Sequence, residues 1–171
     1  MCGIVGILGK SSVSTNLVDA LRRLEYRGYD SAGIATIEGP GIERRRAEGK
    51  LRNLEKRLIA EPLGGRTGIG HTRWATHGRP TERNAHPHMT AKVSVVHNGI
   101  IENFSEIKDE LSAGGATFAT QTDTEVVAQL LAKYMRDGLG RREAMHKMLR
   151  QVTGAYALAV IFKDDPSTIM A

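Results

Sequence analysis

The spacing of hydrophobic residues along the chain changes repeatedly between a strand pattern and a helix pattern. Short apolar or alternating runs predict strands at residues 4–8, 32–38, 42–47, from 67 onward, 92–96, 155–162 and 167–171. Apolar residues repeated every three or four positions predict helices around residues 17–24, 51–59, 104–111, 126–134 and 141–152. This alternation in one compact stretch indicates stacked layers of sheet and helix.

Local signals at the ends of these segments give more specific expectations. Ser14 or Thr15 is a candidate N-cap for the first helix, and Gly28 is a candidate C-cap glycine. Thr122 and Glu125 have the spacing of a capping box before the fourth helix. The run at residues 4–8 is apolar throughout, which predicts a buried strand that holds the N-terminus in place.

Composition limits the class of protein. A chain of 171 residues, with 40% hydrophobic and 25% charged residues, has the composition of one globular domain. Its net charge is +5, but the basic residues are scattered and aromatics make up only 5%, which favours a solvated basic face over nucleic-acid binding. The densest basic run is at residues 44–46. No apolar run approaches the ~18 residues of a membrane span, and a single cysteine fits a reducing, cytoplasmic compartment.

The single cysteine, Cys2, is the first candidate for chemistry. Initiator methionine is normally removed before a residue this small, so Cys2 is expected to become the N-terminus and to carry both a thiol and a free α-amino group. An N-terminal amine, with a pKa of about 8, can serve as the base for its own nucleophile. The structural alternative is that Cys2 is a small buried hydrophobic residue, as free cysteines commonly are.

Five motifs occur along the first 125 residues. They are Cys-Gly-Ile-Val-Gly at 2–6, Leu-Glu-Tyr-Arg-Gly-Tyr-Asp-Ser-Ala-Gly at 24–33, His-Thr-Arg-Trp-Ala-Thr-His-Gly at 71–78, His-Asn-Gly-Ile-Ile-Glu-Asn at 97–103 and Thr-Asp-Thr-Glu at 122–125. Together and in this order they resemble the class II glutamine amidotransferases, which are N-terminal nucleophile hydrolases. The second and third motifs resemble the glutaminase domains of glucosamine-6-phosphate synthases, and purine-pathway amidotransferases usually differ there.

The resemblance implies an α+β fold, a four-layer αββα sandwich that is C-terminally incomplete in this chain. It implies hydrolysis of the side-chain amide of L-glutamine, with the ammonia passed to fructose 6-phosphate on a sugar isomerase domain to give glucosamine 6-phosphate. Residues 1–171 are thus expected to be a truncated glutaminase domain without its isomerase domain. The full protein is expected to be a cytoplasmic homo-oligomer that binds neither nucleic acid nor membrane.

The resemblance also assigns roles to catalytic and substrate-binding residues. Cys2 would attack the carboxamide carbon while its α-amino group moves the proton. The side-chain amide of Asn98 and the backbone N–H of Gly99 would form the oxyanion hole, where fixed donors stabilise charge that develops only in the transition state. Arg73 would hold the substrate α-carboxylate, which suits its planar fork of donors, and Asp123 would hold the α-ammonium.

Four further residues receive supporting roles from the resemblance. Thr76 and His77 would line the loop that closes over glutamine, Trp74 would help to seal it, and Arg27 would pack near the nucleophile and order the terminus. No cofactor and no metal are implied. His71, His77, His86, His88 and His97 could suggest zinc, but no closed Cys/His spacing accompanies them.

Each assigned residue also has a purely structural explanation. Asn98 followed by Gly99 could form a hairpin turn, Arg73 could be a surface arginine, Asp123 a residue favoured by the helix dipole, and Trp74 part of the core. Two functional alternatives also remain: a non-catalytic module that binds glutamine, and an amidotransferase that uses another ammonia acceptor.

Overall fold

The computed structural model describes residues 2–76 and 78–171, so the predictions for Met1 and His77 lie outside the described residues. Eight strands and five α-helices occur within those ranges. The strands are β1 (Gly3–Leu8), β2 (Ser31–Glu38), β3 (Gly41–Glu48), β4 (Thr67–Arg73), β5 (His88–Met89), β6 (Val93–Ile101), β7 (Gly154–Phe162) and β8 (Asp165–Met170). The helices are α1 (Ser14–Arg22), α2 (Leu51–Ala60), α3 (Phe104–Ala113), α4 (Thr124–Arg136) and α5 (Arg141–Gln151).

The strands form two antiparallel sheets that face each other. The first sheet has the order β1-β4-β2-β3, and the second has the order β5-β6-β7-β8. Helices α1 and α2 pack on the outer face of the first sheet, while α4, with α3 and α5 beside it, covers the second. The predicted four-layer αββα sandwich is confirmed.

Three apolar layers hold the sandwich together. One lies between α1, α2 and the first sheet, and another between α3–α5 and the second sheet. The middle layer lies between the sheets and consists of Ala35, Ile37, Ile42, Ile69, Val96, Ala159 and Ile161. Because side chains alternate along a strand, Ile34 faces the helices while Ala35 faces the other sheet. The same alternation places His71, two residues after Ile69, on the inter-sheet side of β4.

Strand β1 is formed as predicted, but the prediction that it is buried is wrong. It lies at the edge of the first sheet and pairs with β4. Gly6 and Leu8 are exposed, Leu8 to 55%. The apolar run in the sequence therefore reflects packing on either side of an edge strand, and pairing with β4 rather than burial positions the N-terminus.

The Asn98-Gly99 pair lies within β6, so its interpretation as a hairpin turn is wrong. Asn98 pairs with Ala157 and Gly99 pairs with Tyr156 of β7. Gly99 has a φ of +113°, and a Cβ there would lie 2.1 Å from the carbonyl oxygen of Ala155. Glycine is therefore required by the approach of the neighbouring strand rather than by a turn.

Two helix ends also differ from their predicted caps. Helix α1 begins at Ser14 with Val13 in the N-cap position, and Gly28, with a φ of +71°, ends a separate 3-10 turn at Glu25–Arg27. Helix α4 has Asp123 in the N-cap position. The predicted capping box is wrong because the Glu125 carboxylate instead accepts hydrogen bonds from the backbone N–H groups of residues 119 and 120, at 2.8 and 2.7 Å.

The basic run at residues 44–46 is not simply a solvated face. Arg44 donates to the carbonyl of Pro87 at 3.1 Å, and Arg46 donates to the carbonyls of Arg83 and Ala85, each at 2.9 Å. Burial lowers the pKa of Arg46 to about 10. These hydrogen bonds hold the segment before β5 against β3. Among the described residues, no helix has the length and apolar character needed to cross a membrane.

Candidate active site

A cavity of about 250 Å³ lies where the start of β1 meets the end of β4, the middle of β6 and the N-terminus of α4. It brings together six of the residues predicted from the sequence: Cys2, Arg73, Trp74, Thr76, Gly99 and Asp123. Five residues that were assigned no role in the site also line it: His86, His97, Ile100, Thr122 and Thr124.

Cys2 is placed by the pairing of β1 with β4. Gly3 lies opposite Thr72, so Cys2 reaches the end of β4, where the chain leaves the sheet. Its Sγ accepts a hydrogen bond from the backbone N–H of Trp74 at 3.2 Å. The thiol is free and half-buried. The interpretation of Cys2 as a fully buried core residue is therefore wrong, and its sulfur lies on the cavity wall.

Asn98 reaches Cys2 from the opposite sheet. Its Nδ2 donates to the carbonyl oxygen of Cys2 at 3.3 Å, and its Oδ1 lies 2.8 Å from His71 Nε2. Asn98 does not line the cavity of Cys2 and instead lines a neighbouring groove that also contacts β1, whereas Gly99 lines the cavity itself. The predicted pair of donors thus lies on one strand beside Cys2.

Arg73 is buried at the end of β4, which excludes the interpretation as a surface arginine. Its guanidinium donates to the carbonyls of Gly78 and Arg79, at 3.2 and 3.4 Å, and lies 4.0 Å from the carboxylate of Asp30. Burial lowers its pKa below the usual value of an arginine, and the charge of Asp30 opposes that shift. Asp30 also accepts the backbone N–H of Ala75, so one carboxylate supports both the arginine and the following loop.

Asp123 is buried at the N-terminus of α4, with 4% of its surface exposed. Its Oδ2 accepts a hydrogen bond from the backbone N–H of Ile101 at 3.0 Å, and its Oδ1 lies 3.9 Å from His97 Nδ1. No side-chain cap hydrogen bond to the helix is made by this residue. Asp123 therefore contacts β6 and faces the cavity, a placement that a capping role alone does not explain.

The remaining predicted residues lie at the margin of the site. Trp74 is 55% exposed, so its interpretation as a core residue is wrong. Thr76 is exposed on the cavity wall. Arg27 is exposed, donates to the hydroxyl of Tyr26 at 3.1 Å, and lines the neighbouring groove together with Gly3.

The cavity therefore combines three kinds of chemistry. Cys2 supplies a thiol, and β6 supplies the backbone of Gly99, with the amide of Asn98 beside it in the neighbouring groove. Arg73 and Asp123 supply a basic and an acidic side chain to the same cavity. Such a set fits a small molecule that carries both charges and an electrophilic carbonyl.

Four buried histidines next to the site received no role from the sequence beyond the zinc hypothesis. They are His71, His86, His88 and His97. The rings of His71 and His86 lie 4.1 Å apart between centroids, and those of His86 and His88 lie 4.6 Å apart. Three of the four bond threonine hydroxyls at the start of α4: His86 and His97 bond Thr124, at 2.8 and 2.9 Å, and His88 bonds Thr122 at 3.1 Å.

Within the described ranges, no group of three or more His, Cys, Asp or Glu side chains could hold a metal ion. The hydrogen bonds described for these histidines join them to threonine hydroxyls and to the side-chain amide of Asn98. For His71 the sequence does contain a signal of burial. It follows the apolar Ile69 by two residues, and residues two apart on a strand lie on the same face.

The buried histidines are expected to make the fold sensitive to acid. Burial lowers the pKa of His71 to about 3 and also depresses the pKa of His86 and of His88. The unfolded chain takes up protons below about pH 6.5 while these folded-state rings stay neutral, so stability is lost as the pH falls below 6.5. Each ring contributes up to about 1.4 kcal/mol per pH unit.

Urea unfolding between pH 7.5 and 5.5 measures this dependence. The free energy of unfolding is expected to fall with pH, and His88→Leu is expected to reduce the slope by about one proton. A free energy of unfolding that does not change across this range would contradict the prediction.

Comparisons with known proteins agree with this geometry. Residues 71–171 match the glutamine amidotransferase domain family. Over all 171 residues the chain is 75% identical to a glutamine–fructose-6-phosphate aminotransferase (isomerizing) of Rhizobium meliloti, and 70% identical to a protein of the same name in Agrobacterium fabrum. The chain spans 28% of the length of each of these relatives.

Solved structures show the same fold. Glutamine phosphoribosylpyrophosphate amidotransferase of Bacillus subtilis superposes with a TM-score of 0.80 at 25% sequence identity. The match covers 95% of this chain and 35% of that protein.

Proposed function

The chain belongs to the glutamine amidotransferase domain family, and we propose that it hydrolyses the side-chain amide of L-glutamine to glutamate and ammonia with Cys2 as the nucleophile. The observation that carries this proposal is the single cavity in which Cys2, Arg73, Gly99 and Asp123 meet. A free amino acid presents a carboxylate, an ammonium and, in glutamine, a side-chain carbonyl. Each has a suitable partner in this cavity.

The proposed reaction begins with attack by the Cys2 sulfur on the amide carbon. The α-amino group of Cys2 takes the thiol proton, the C–S bond forms, and the carbonyl electron pair moves onto oxygen. Asn98 Nδ2 and the backbone N–H of Gly99 would bind this oxyanion. An amide nitrogen carries two hydrogens, so Asn98 can keep its bond to the Cys2 carbonyl while it offers the second hydrogen.

The intermediate then collapses and expels ammonia. The C–N bond breaks as the leaving nitrogen receives the proton held by the α-amino group, which leaves a thioester on Cys2. The same amine then accepts a proton from water, and hydroxide attacks the thioester carbon. The C–S bond breaks, the amine returns its proton to the sulfur, and the new carboxyl group loses its proton to solvent as glutamate leaves. This scheme uses one base at two steps.

Arg73 and Asp123 are proposed to orient glutamine through its α-carboxylate and α-ammonium. Both are buried and both line the cavity. In this structure the donors of Arg73 contact the carbonyls of Gly78 and Arg79. We propose that the loop after β4 closes over glutamine, that Thr76 and His77 line this loop, and that Trp74 helps to seal it. Arg27 is proposed to order the chain near the nucleophile.

The ammonia acceptor is proposed from the sequence relatives. Their name describes transfer to fructose 6-phosphate, and the chain is 75% identical to one of them but 25% identical to the phosphoribosylpyrophosphate amidotransferase. We propose that residues 1–171 are the glutaminase part of a longer cytoplasmic homo-oligomer whose isomerase domain makes glucosamine 6-phosphate for amino-sugar biosynthesis.

Glutamine turnover by the wild type and by Arg73→Gln tests the proposal. The wild type is expected to release glutamate and ammonia in equal amounts. Loss of a charge-assisted, forked contact is expected to raise KM for glutamine about 10–100-fold, because such bonds are worth about 1.5–3 kcal/mol.

The matched control is Arg142→Gln, which removes the same charge from an exposed position on α5. It should leave both kcat and KM unchanged. No release of glutamate by the wild type would refute the function, while an unchanged KM in Arg73→Gln would refute only the role of Arg73.

A further inference from the structure

His71 contacts the side chain of Asn98 but has no role in the reaction proposed above. It is completely buried on β4, on the side that faces the second sheet. Its Nε2 lies 2.8 Å from Asn98 Oδ1, so the contact joins the first sheet to the second across the sandwich. His71 does not line the cavity, and Asn98 is the residue of the proposed oxyanion hole that it contacts.

The hydrogen bonds of Asn98 determine which tautomer His71 adopts. The carbonyl oxygen of Cys2 can only accept, so the Asn98 atom that faces it at 3.3 Å must be the amide nitrogen. The amide oxygen then faces His71, and because this oxygen can only accept, His71 Nε2 must carry the hydrogen. Burial keeps the ring neutral by lowering its pKa to about 3, so this is its single ring hydrogen.

The ring of His71 is held in place by its neighbours. It stacks on His86 with centroids 4.1 Å apart and planes inclined by 35°. His86 is in turn bonded to Thr124 at 2.8 Å. The backbone carbonyl of His86 also lies against Gly33, where a Cβ would be 2.2 Å from its oxygen. The donor to Asn98 is therefore fixed by packing on β2 and α4.

An asparagine amide can exchange its oxygen and nitrogen by half a turn about its terminal torsion. In the exchanged orientation, an amide oxygen would face the carbonyl of Cys2 and any oxyanion formed beside it. Both contacts would be repulsive, and the oxyanion would lose a donor. His71 opposes this exchange because its Nε2–H bonds the oxygen only in the productive orientation. A shift of the ring hydrogen to Nδ1 would not relieve the conflict, since Nδ1 is buried and has no hydrogen-bond acceptor among the described residues.

We propose that His71 is a positioning residue that fixes the side-chain amide of Asn98 with its nitrogen toward Cys2, and so completes the oxyanion hole. The inference rests on the proposed glutaminase function. It adds a residue outside the cavity to the machinery of that site.

The test compares His71→Leu, which removes the donor, with His71→Gln, whose side-chain amide can donate to Asn98 instead. Removal of one oxyanion donor costs about 10²–10³ in kcat, and we expect His71→Leu to lower kcat about 10–100-fold, since the donor is misoriented only part of the time. KM for glutamine should change by less than about twofold, because the oxyanion exists only in the transition state.

His71→Gln should recover most of that loss. The matched control is His88→Leu, another buried ring that does not contact Asn98. It should lower stability while leaving kcat per active site unchanged, where active sites are counted by covalent titration with a chloroketone analogue of glutamine. An unchanged kcat in His71→Leu, or equal losses in His71→Leu and His71→Gln, would overturn the proposal.

Nitrogen-15 chemical shifts of the His71 ring in the wild type provide a measurement that does not depend on whether the variants fold. Protonation at Nε2 alone supports the proposal, and protonation at Nδ1 overturns it. Failure of the glutaminase function itself would be recognised separately, as a wild type that releases no glutamate.

Discussion

Replacement of Cys2 by alanine is expected to abolish glutamine hydrolysis and leave the fold intact. Removal of a covalent nucleophile costs more than about 10⁴-fold in kcat, because the remaining donors cannot replace the bond that the sulfur forms. Cys2 is half-buried and its sulfur bonds the backbone N–H and carbonyl of Trp74, so its loss should change the unfolding free energy little. Glutamine should still bind through Arg73 and Asp123.

Intact mass spectrometry with the chloroketone analogue checks the same prediction without a rate assay. The wild type should gain a single adduct, and Cys2→Ala should gain none. Alanine is also small enough for methionine removal, so the variant keeps a free N-terminal amine and isolates the effect of the thiol. Measurable turnover by Cys2→Ala would exclude Cys2 as the nucleophile.

The state of the N-terminus gives this experiment a second use. Protein whose mass includes Met1 has the Cys2 nitrogen in a peptide bond and has lost the proposed base. Such protein should be folded but nearly inactive. Normal turnover by a fraction that retains Met1 would exclude the α-amino group from the mechanism.

The second large effect is expected for Gly99→Ala, which should destabilise the protein by about 3–5 kcal/mol. Two causes add. The φ of +113° strains any residue with a Cβ, and the new atom would lie 2.1 Å from the backbone oxygen of Ala155. Relief of that contact requires β6 and β7 to separate beside Asn98. Any folded fraction should therefore also lose activity, since the Gly99 N–H would move.

Gly115→Ala is the matched control for Gly99→Ala. Gly115 also has a positive φ, +86°, but no atom lies within 4 Å of its would-be Cβ. It should therefore cost only the backbone strain, about 1 kcal/mol. Urea unfolding at pH 7.5 measures both variants. Equal unfolding midpoints would show that the contact with β7 is not what requires glycine at position 99.

Most elements of the fold could be predicted because their apolar spacing is local. The hairpin of β2 and β3 and the helices α2, α3 and α5 all lie within a few residues of their predicted bounds. The failed prediction with most effect on the site depends on a partner that is distant in sequence. The continuation of β6 through Asn98 and Gly99 is set by β7, more than fifty residues later, and local turn statistics contain no information about that strand.

The same limit applies to the candidate site. Cys2, Arg73 and Asp123 were found because the motifs carry them, and the cavity brings them together. His71 was noticed only as a possible zinc ligand, because its partner Asn98 lies on the other sheet. Arg44 and Arg46 looked like surface charges, since nothing in the sequence shows that the carbonyls before β5 approach them.

The apolar layer between the sheets has a consequence beyond stability. Arg73 belongs to the first sheet and Cys2 directly precedes its strand β1, while Asn98 and Gly99 belong to the second sheet. The thickness of that layer, set by side chains such as Ile69, Val96 and Ile161, therefore affects the distance between Cys2 and Asn98. A methylene gained or lost in this layer is expected to change the alignment of the proposed nucleophile with its proposed donors, so residues that serve packing would also influence the rate of the proposed reaction.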